Sequence, residues 1–195
     1  MISFDMEKLF VNSRASICIN NNIYIDPYRF RNAPHNAKAV FITHPHRDHL
    51  SIKDIKKVSN EETQFYAPQD CFKILRRHGF QNLNEKLPDY AVSFPSYCKP
   101  FHRRSKNWVG YILTIDDTRY ATCGDTDSTP ELAAIKCDVL FVPIGGIVTM
   151  NARQAAQCAN IIKPKIVIPI HYRRKSCKRI FLKYLDKNIK YEFFL

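Results

Sequence analysis

Short apolar runs, many of them β-branched, recur along the chain and break off at polar or turn-forming residues. The runs at 16–19, 22–26, 39–43, 64–67, 90–94, 108–115, 119–123, 138–144, 165–170 and 191–195 predict β-strands. Between them the apolar spacing changes to a helical one at 52–58 and at 69–78, and the second of these closes at Gly79, as a helix C-terminus often does. Thr129-Pro130-Glu131 puts a capping residue ahead of a proline at the first helical position. Asn151-x-x-Gln154 has the pattern of a capping box and opens a segment with Ala152, Ala155, Ala156 and Ala159 on one face, suited to close packing on a sheet. Residues 177–187 are amphipathic, with Ile180, Phe181, Tyr184 and Leu185 at helical spacing. Strands first follow one another as hairpins and then alternate with helices, which predicts a mixed α/β layered fold.

Composition narrows this to one soluble domain spanning residues 1–195. A chain of 195 residues with 45% apolar residues buries roughly 70% of its unfolded surface and needs no disulfide or metal staple. The longest nearly uninterrupted apolar stretch, 139–148, is about half the roughly 20 residues of a membrane-spanning helix. The first eight residues lack the basic, apolar and small-residue regions of a secretory leader, so the expected compartment is the cytoplasm. Seven cysteines, odd in number and never in a C-x-x-C pair, read as reduced and mostly buried apolar residues. The net charge of +12 is uneven. It concentrates in 71–106 and 163–195, which invites an anionic partner.

The densest chemistry is His44-Pro45-His46-Arg47-Asp48-His49, directly after an apolar strand. Proline at 45 disfavours a helical conformation for His44, so His44 and His46 should project the same way from an extended segment. Asp48 and His49 follow a turn and can face the same point from another side. Lone histidines at strand ends are commonly just solvated, but four imidazole and carboxylate groups concentrated here serve no packing purpose. Asp125, in Gly124-Asp125-Thr126-Asp127, and His171, after 165–170, also begin where an apolar strand stops. Open α/β sheets bind ligands at the carboxyl ends of their strands, so these endings are expected to share one cleft.

These motifs, with Pro143-Ile-Gly-Gly146, Thr149-Met150 and Pro169-Ile-His171-Tyr172, resemble the metallo-β-lactamase-fold hydrolases over about residues 38–172. Trp108-Val-Gly-Tyr111 is similar to the small metal-dependent hydrolases nearest the ascorbate-phosphate lactonase and the N-acylethanolamine-releasing phospholipase D. The resemblance implies a four-layer αβ/βα sandwich of two mixed sheets with a dinuclear metal site. Carried over by position, His44 and His46 hold the first metal, Asp48, His49 and His171 the second, and Asp125 bridges them. The family adds one histidine to the first metal, for which the interval offers only His78 and His102. His78 falls in a predicted basic helix, so the role is assigned to His102. That residue lies in Pro100-Phe101-His102-Arg103-Arg104 rather than at an apolar strand end, and Tyr97-Cys98 stands where the subgroup tends to have asparagine after the tyrosine.

Histidine and carboxylate donors without thiolate suit two zinc ions, with manganese or iron as alternatives. Such ions activate water for attack on a carbonyl or phosphoryl centre, with Asp125 and Asp48 as the catalytic carboxylates. Arg103, Lys106 and Tyr172 are candidates for contact with an anionic group. The expected activity is hydrolysis of an anionic small molecule, a phosphodiester or a phosphate-bearing lactone. Two alternatives stay open: a nuclease, and a basic nucleic-acid-binding module with a degenerate metal site. The run Arg173-Arg174-Lys175-Ser176-Cys177-Lys178-Arg179 fits phosphate contacts, although few aromatic residues interleave with it in sequence.

Overall fold

The computed structural model describes residues 8–98 and 100–195; residues 1–7, on which the leader reading rests, and Lys99 lie outside the described residues. Two compact units are present, one made of the described residues up to Lys86 with Phe194–Leu195, the other of Leu87–Phe193. Each carries its own six-stranded mixed sheet.

The first sheet runs in sequence order through β1 (Leu9–Val11), β2 (Ile17–Ile19), β3 (Ile23–Ile25), β4 (Ala39–Phe41), β5 (Gln64–Tyr66) and β6 (Leu83–Asn84). The first two pairings are antiparallel and the last three parallel. Parallel neighbours need crossovers, and α1 (Ile52–Val58) and α2 (Gln69–Arg77) supply two of them. Ile55, Val58, Phe72 and Leu75 of these helices pack with Cys18, Tyr24, Val40, Ile42 and Phe65 of the sheet. The stop of α2 at Gly79 is a hydrogen-bonded one. Gly79 takes a φ of +82° and Phe80 N–H donates to Leu75 O at 3.2 Å, satisfying a carbonyl the helix end leaves open.

The second unit repeats the plan without any repeat in the sequence. Strands β7 (Ala91–Pro95), β8 (Val109–Ile115) and β9 (Thr118–Thr122) form an antiparallel meander. Strands β10 (Val139–Pro143), β11 (Ile166–Ile170) and β12 (Lys190–Tyr191) then add in parallel, through α3 (Pro130–Ala133), α4 (Ala152–Ile162) and α5 (Lys175–Tyr184). The capping box opens α4 as its spacing predicts. Asn151 Oδ1 accepts from Gln154 N–H at 3.0 Å and Gln154 Oε1 from Asn151 N–H at 2.9 Å. The alanine face of α4 lies in one core with Ala121, Leu140, Val142 and Phe181.

Three edge strands differ from the sequence reading. β1 and β6 are not signalled by their own residues, and the expected strand at 191–195 is confined to Lys190–Tyr191. Such short edges form because a neighbour offers a ladder, a non-local cause. Helix α5 begins two residues before the expected 177 and ends three before 187, where Asp186 Oδ1 accepts from Asn188 N–H at 2.9 Å and turns the chain. All seven cysteines are free, five of them buried. Among the described residues, no helix is long and apolar enough to cross a membrane.

Candidate metal centre

In the first unit the strand ends build a linked set of side chains. His44 to His49 follow β4, and His46 O accepts from both His49 N–H at 2.9 Å and Leu50 N–H at 2.7 Å. This turn carries His49 back toward the sheet before Ser51 caps α1. At the end of the neighbouring parallel strand β3 stands Asp26, fully buried and at a φ of +46°, a left-handed conformation that aspartate tolerates better than most residues. Its carboxylate accepts from Thr43 N–H at 2.8 Å, Thr43 Oγ1–H at 2.7 Å and His49 Nδ1–H at 2.7 Å. With its proton on Nδ1, His49 keeps the Nε2 lone pair as its donor. Thr43 Oγ1, its own proton given to Asp26, accepts from His44 Nδ1–H at 3.0 Å, which fixes His44 in the same tautomer. Asp48 is half-buried, 3.8 Å from Arg14 Nε.

In the second unit Asp125 follows β9 and His171 follows β11, while the loop after the intervening β10 runs between them. Gly124, at a φ of +61°, supplies the turn that aims Asp125. His102 belongs to the β7–β8 connection. Because β7 is antiparallel to β8 and β8 to β9, the end of β7 lies at the same sheet edge as the end of β9. The loop is stitched to that edge: Ser96 Oγ–H donates to Cys123 O at 2.6 Å, Thr126 Oγ1–H to Tyr97 O at 3.1 Å, and Asp127 N–H to Tyr97 O at 2.9 Å. His102, 1% exposed, is held between Cys98 and the Trp108 ring, whose centroid is 5.2 Å away. Asp125, also buried, presents Oδ1 at 3.4 Å from His171 Nε2 and Oδ2 at 3.6 Å from His102 Nε2.

Those spacings fit a metal. Donors bound to one zinc ion at about 2.0–2.1 Å in a tetrahedron stand roughly 3.3 Å apart. Besides the two Asp125 distances, His44 Nε2 and His46 Nδ1 are 3.1 Å apart. A separation of 3.4–3.6 Å is long for a charge-assisted hydrogen bond but right for two ligands of one ion. One oxygen of Asp125 faces each histidine. The donor set among these residues is imidazole and carboxylate. Burial, reinforced by Asp127, pushes the nearby Cys98 thiol up to about 12.

The other sequence candidates divide. His78 is exposed at the C-terminal end of α2. Arg103 and Lys106 are exposed on the same loop as His102. Between them Arg104 is committed to Glu131 at 2.6 Å and lies over the Tyr97 ring, and Tyr97 Oη–H donates to Glu131 at 2.9 Å. Tyr172 is half-buried, its phenol pushed up to about 12 by burial and by Cys177. Aromatic rings do interleave with the basic helix in space. Lys178 Nζ stands 5.5 Å from the Tyr172 ring and 4.9 Å from that of Phe193, and the Tyr191 ring is 5.6 Å from Phe193. Sequence reasoning missed Asp26 altogether, although it too begins where an apolar strand stops.

His171 holds a left-handed φ of +53°, a conformation costing of order 1 kcal/mol or more for a side chain of this kind. It is kept there by close approach of the β10 loop, since a Cβ at Gly145 would run into the His171 carbonyl oxygen. Gly145→Ala is therefore expected to displace His171, weakening metal binding by at least tenfold while the far-ultraviolet circular dichroism stays native. Unchanged metal affinity would show that the loop gives way instead.

A family model described as a beta-lactamase superfamily domain matches residues 16–171. A UPF0173 protein of Pyrococcus abyssi is 30% identical over 162 residues, covering 77% of this chain and 75% of its own length. A UPF0173 metal-dependent hydrolase of Nanoarchaeum equitans is 30% identical over 167 residues, 78% of this chain and 76% of its own. A crystal structure of a protein from Parabacteroides distasonis superposes with a TM-score of 0.76 at 26% identity, over 95% of this chain and 91% of that one.

Proposed function

The chain belongs to the beta-lactamase superfamily as a metal-dependent hydrolase, and from that premise we propose that it hydrolyses an anionic small molecule, a phosphodiester or a phosphate-bearing lactone, at a centre of two zinc ions. The observation that carries the reading is Asp125, with one carboxylate oxygen turned to His171 and the other to His102. In this reading His44, His46 and His102 would hold one ion, Asp48, His49 and His171 the other, and Asp125 would serve both. The family match runs through both compact units, which supports treating residues 1–195 as one domain. Seven free cysteines suit a reducing, cytoplasmic setting.

Bound there, divalent ions supply Lewis acidity, bringing water toward ionisation near neutral pH and stabilising negative charge on a carbonyl or phosphoryl oxygen. The protein's part is orientation. Asp26 and Thr43 fix the tautomers of His49 and His44 so that each offers Nε2. Burial of Asp125, His102 and His171 excludes bulk water and strengthens their electrostatic interactions. Arg103 and Lys106 offer cations to the anionic group of the substrate, and Tyr172, next to His171 and neutral, offers a hydroxyl.

A second reading, cleavage of single-stranded nucleic acid, is favoured by the Tyr172, Phe193 and Tyr191 rings beside Lys178, since rings flanked by cations are what a stacking platform requires. One experiment separates the readings: zinc-loaded and chelator-treated protein assayed on bis-aryl phosphodiesters, phosphorylated sugar lactones, thioesters and a short single-stranded RNA. Turnover of a phosphodiester or phosphorylated lactone that disappears with chelator and returns with zinc is the expected result. Cleavage of RNA alone would favour the second reading. Salt-sensitive RNA binding with no turnover of any class would leave only a binding module.

A further inference from the structure

His102 is held by a different kind of partner from His49, and the difference has a chemical consequence. Cys98 and His102 are joined by a two-way backbone bridge, Cys98 N–H to His102 O at 2.9 Å and His102 N–H to Cys98 O at 3.0 Å. Within that bridge the buried Cys98 Sγ lies 3.1 Å from His102 Nδ1 and 2.8 Å from Val148 O. A carbonyl oxygen can only accept, so the thiol proton goes to Val148. The sulfur is then left as acceptor, and the proton between it and the imidazole belongs to Nδ1. His102 is thereby set in the Nδ1–H tautomer with its Nε2 lone pair facing Asp125 Oδ2.

We infer that Cys98 is the positioning residue of His102, fixing its tautomer and ring direction for metal binding, and that the ion served by His102 is the weaker and more exchangeable of the two. The inference rests on the metal-centre reading above. The residue that breaks the resemblance at Tyr97-Cys98 thus takes up an orienting task. The asymmetry follows from acceptor strength. Asp26 holds His49 through a charged oxygen at 2.7 Å, whereas a neutral sulfur is a weak acceptor, so less of the orientation of His102 is fixed before an ion arrives. Partners of this kind are worth roughly 10–100-fold in metal affinity. Cys98 touches no reacting atom here and donates no sulfur to the metal.

Two measurements test this, one of which needs no metal. In the metal-free protein, long-range proton–nitrogen correlation of the histidine rings is expected to show His102 protonated on Nδ1, and Cys98→Ala to move it toward the Nε2–H form. Wild-type His102 protonated on Nε2 would overturn the assignment whether or not the protein binds metal. Competition against a chromogenic chelator is expected to resolve two zinc affinities in the wild type. Cys98→Ala should weaken only the lower one, roughly 10–100-fold, and Cys98→Asn or Cys98→Ser should recover part of the loss at unchanged thermal stability of the metal-free form. Equal affinities in the wild type, or an unchanged lower affinity in Cys98→Ala, would overturn the proposal. So would a thiolate-to-metal charge-transfer band in the cobalt-substituted protein that Cys98→Ala abolishes. Failure to bind zinc at all would overturn the metal-centre reading while leaving the tautomer result to stand or fall by itself.

Discussion

Asp125→Ala is expected to lower turnover by about 10³-fold while leaving the fold intact. Losing a single preorganised electrostatic group in an active site costs about 10²–10³-fold. In the proposed centre Asp125 exceeds that case, because its two oxygens face two different histidines and its removal would take a ligand from both ions at once. The fold should tolerate the change. The backbone around Asp125 is held by Ser96, Thr126 and Tyr97, contacts that Asp125→Ala retains. Asp127 provides the control. Its backbone N–H ties the strand end to Tyr97 O, a contact that Asp127→Ala retains, and the proposed centre takes no ligand from it, so that variant should lose much less activity than Asp125→Ala. Steady-state kinetics with metal analysis on both variants checks this. Near wild-type rates in Asp125→Ala with two ions bound would sink the shared-carboxylate reading, and equal losses at 125 and 127 would mean the bridge is misassigned.

Asp26 separates stability from metal binding, because its two obvious substitutions act differently. Asp26→Ala leaves Thr43 N–H, Thr43 Oγ1–H and His49 Nδ1–H buried without their acceptor. Each such group costs about 1–3 kcal/mol, so a loss of at least roughly 3 kcal/mol in urea unfolding is expected. Asp26→Asn keeps the volume and one acceptor oxygen. With that oxygen on Thr43 N–H, its amide nitrogen must donate to His49 Nδ1, which drives the ring proton to Nε2 and removes the lone pair needed for a metal. The asparagine variant should therefore unfold closer to wild type yet bind zinc roughly 10–100-fold more weakly at the His49 site. Equal zinc affinity in Asp26→Asn and wild type, by chelator competition, would show that Asp26 only braces the strand end.

What the sequence by itself determined was local. A strand that ends in a cluster of histidines and aspartates, a capping box, or a helix closed by Gly79 is written within a few consecutive residues, so His44 to His49, Asp125 and His171 are legible from the chain alone. The strand ends also carried the resemblance that the family match bears out. The tertiary structure decided which of these groups meet within each unit, and by which nitrogen they are held. Asp26 reaches His49 across 23 positions because β3 and β4 are adjacent and parallel. His102 reaches Asp125 because two antiparallel pairings return the β7 loop to the β9 edge, and Cys98 holds its ring there only because Val148 takes the thiol proton. Strand order, direction and the sharing of protons are set by burial and pairing over the whole sheet. The rings of Tyr172 and Phe193 beside Lys178 likewise come together only when β11, α5 and β12 are packed. No window of the sequence contains those relations, since each depends on residues whose only link is the sheet that brings them to one edge.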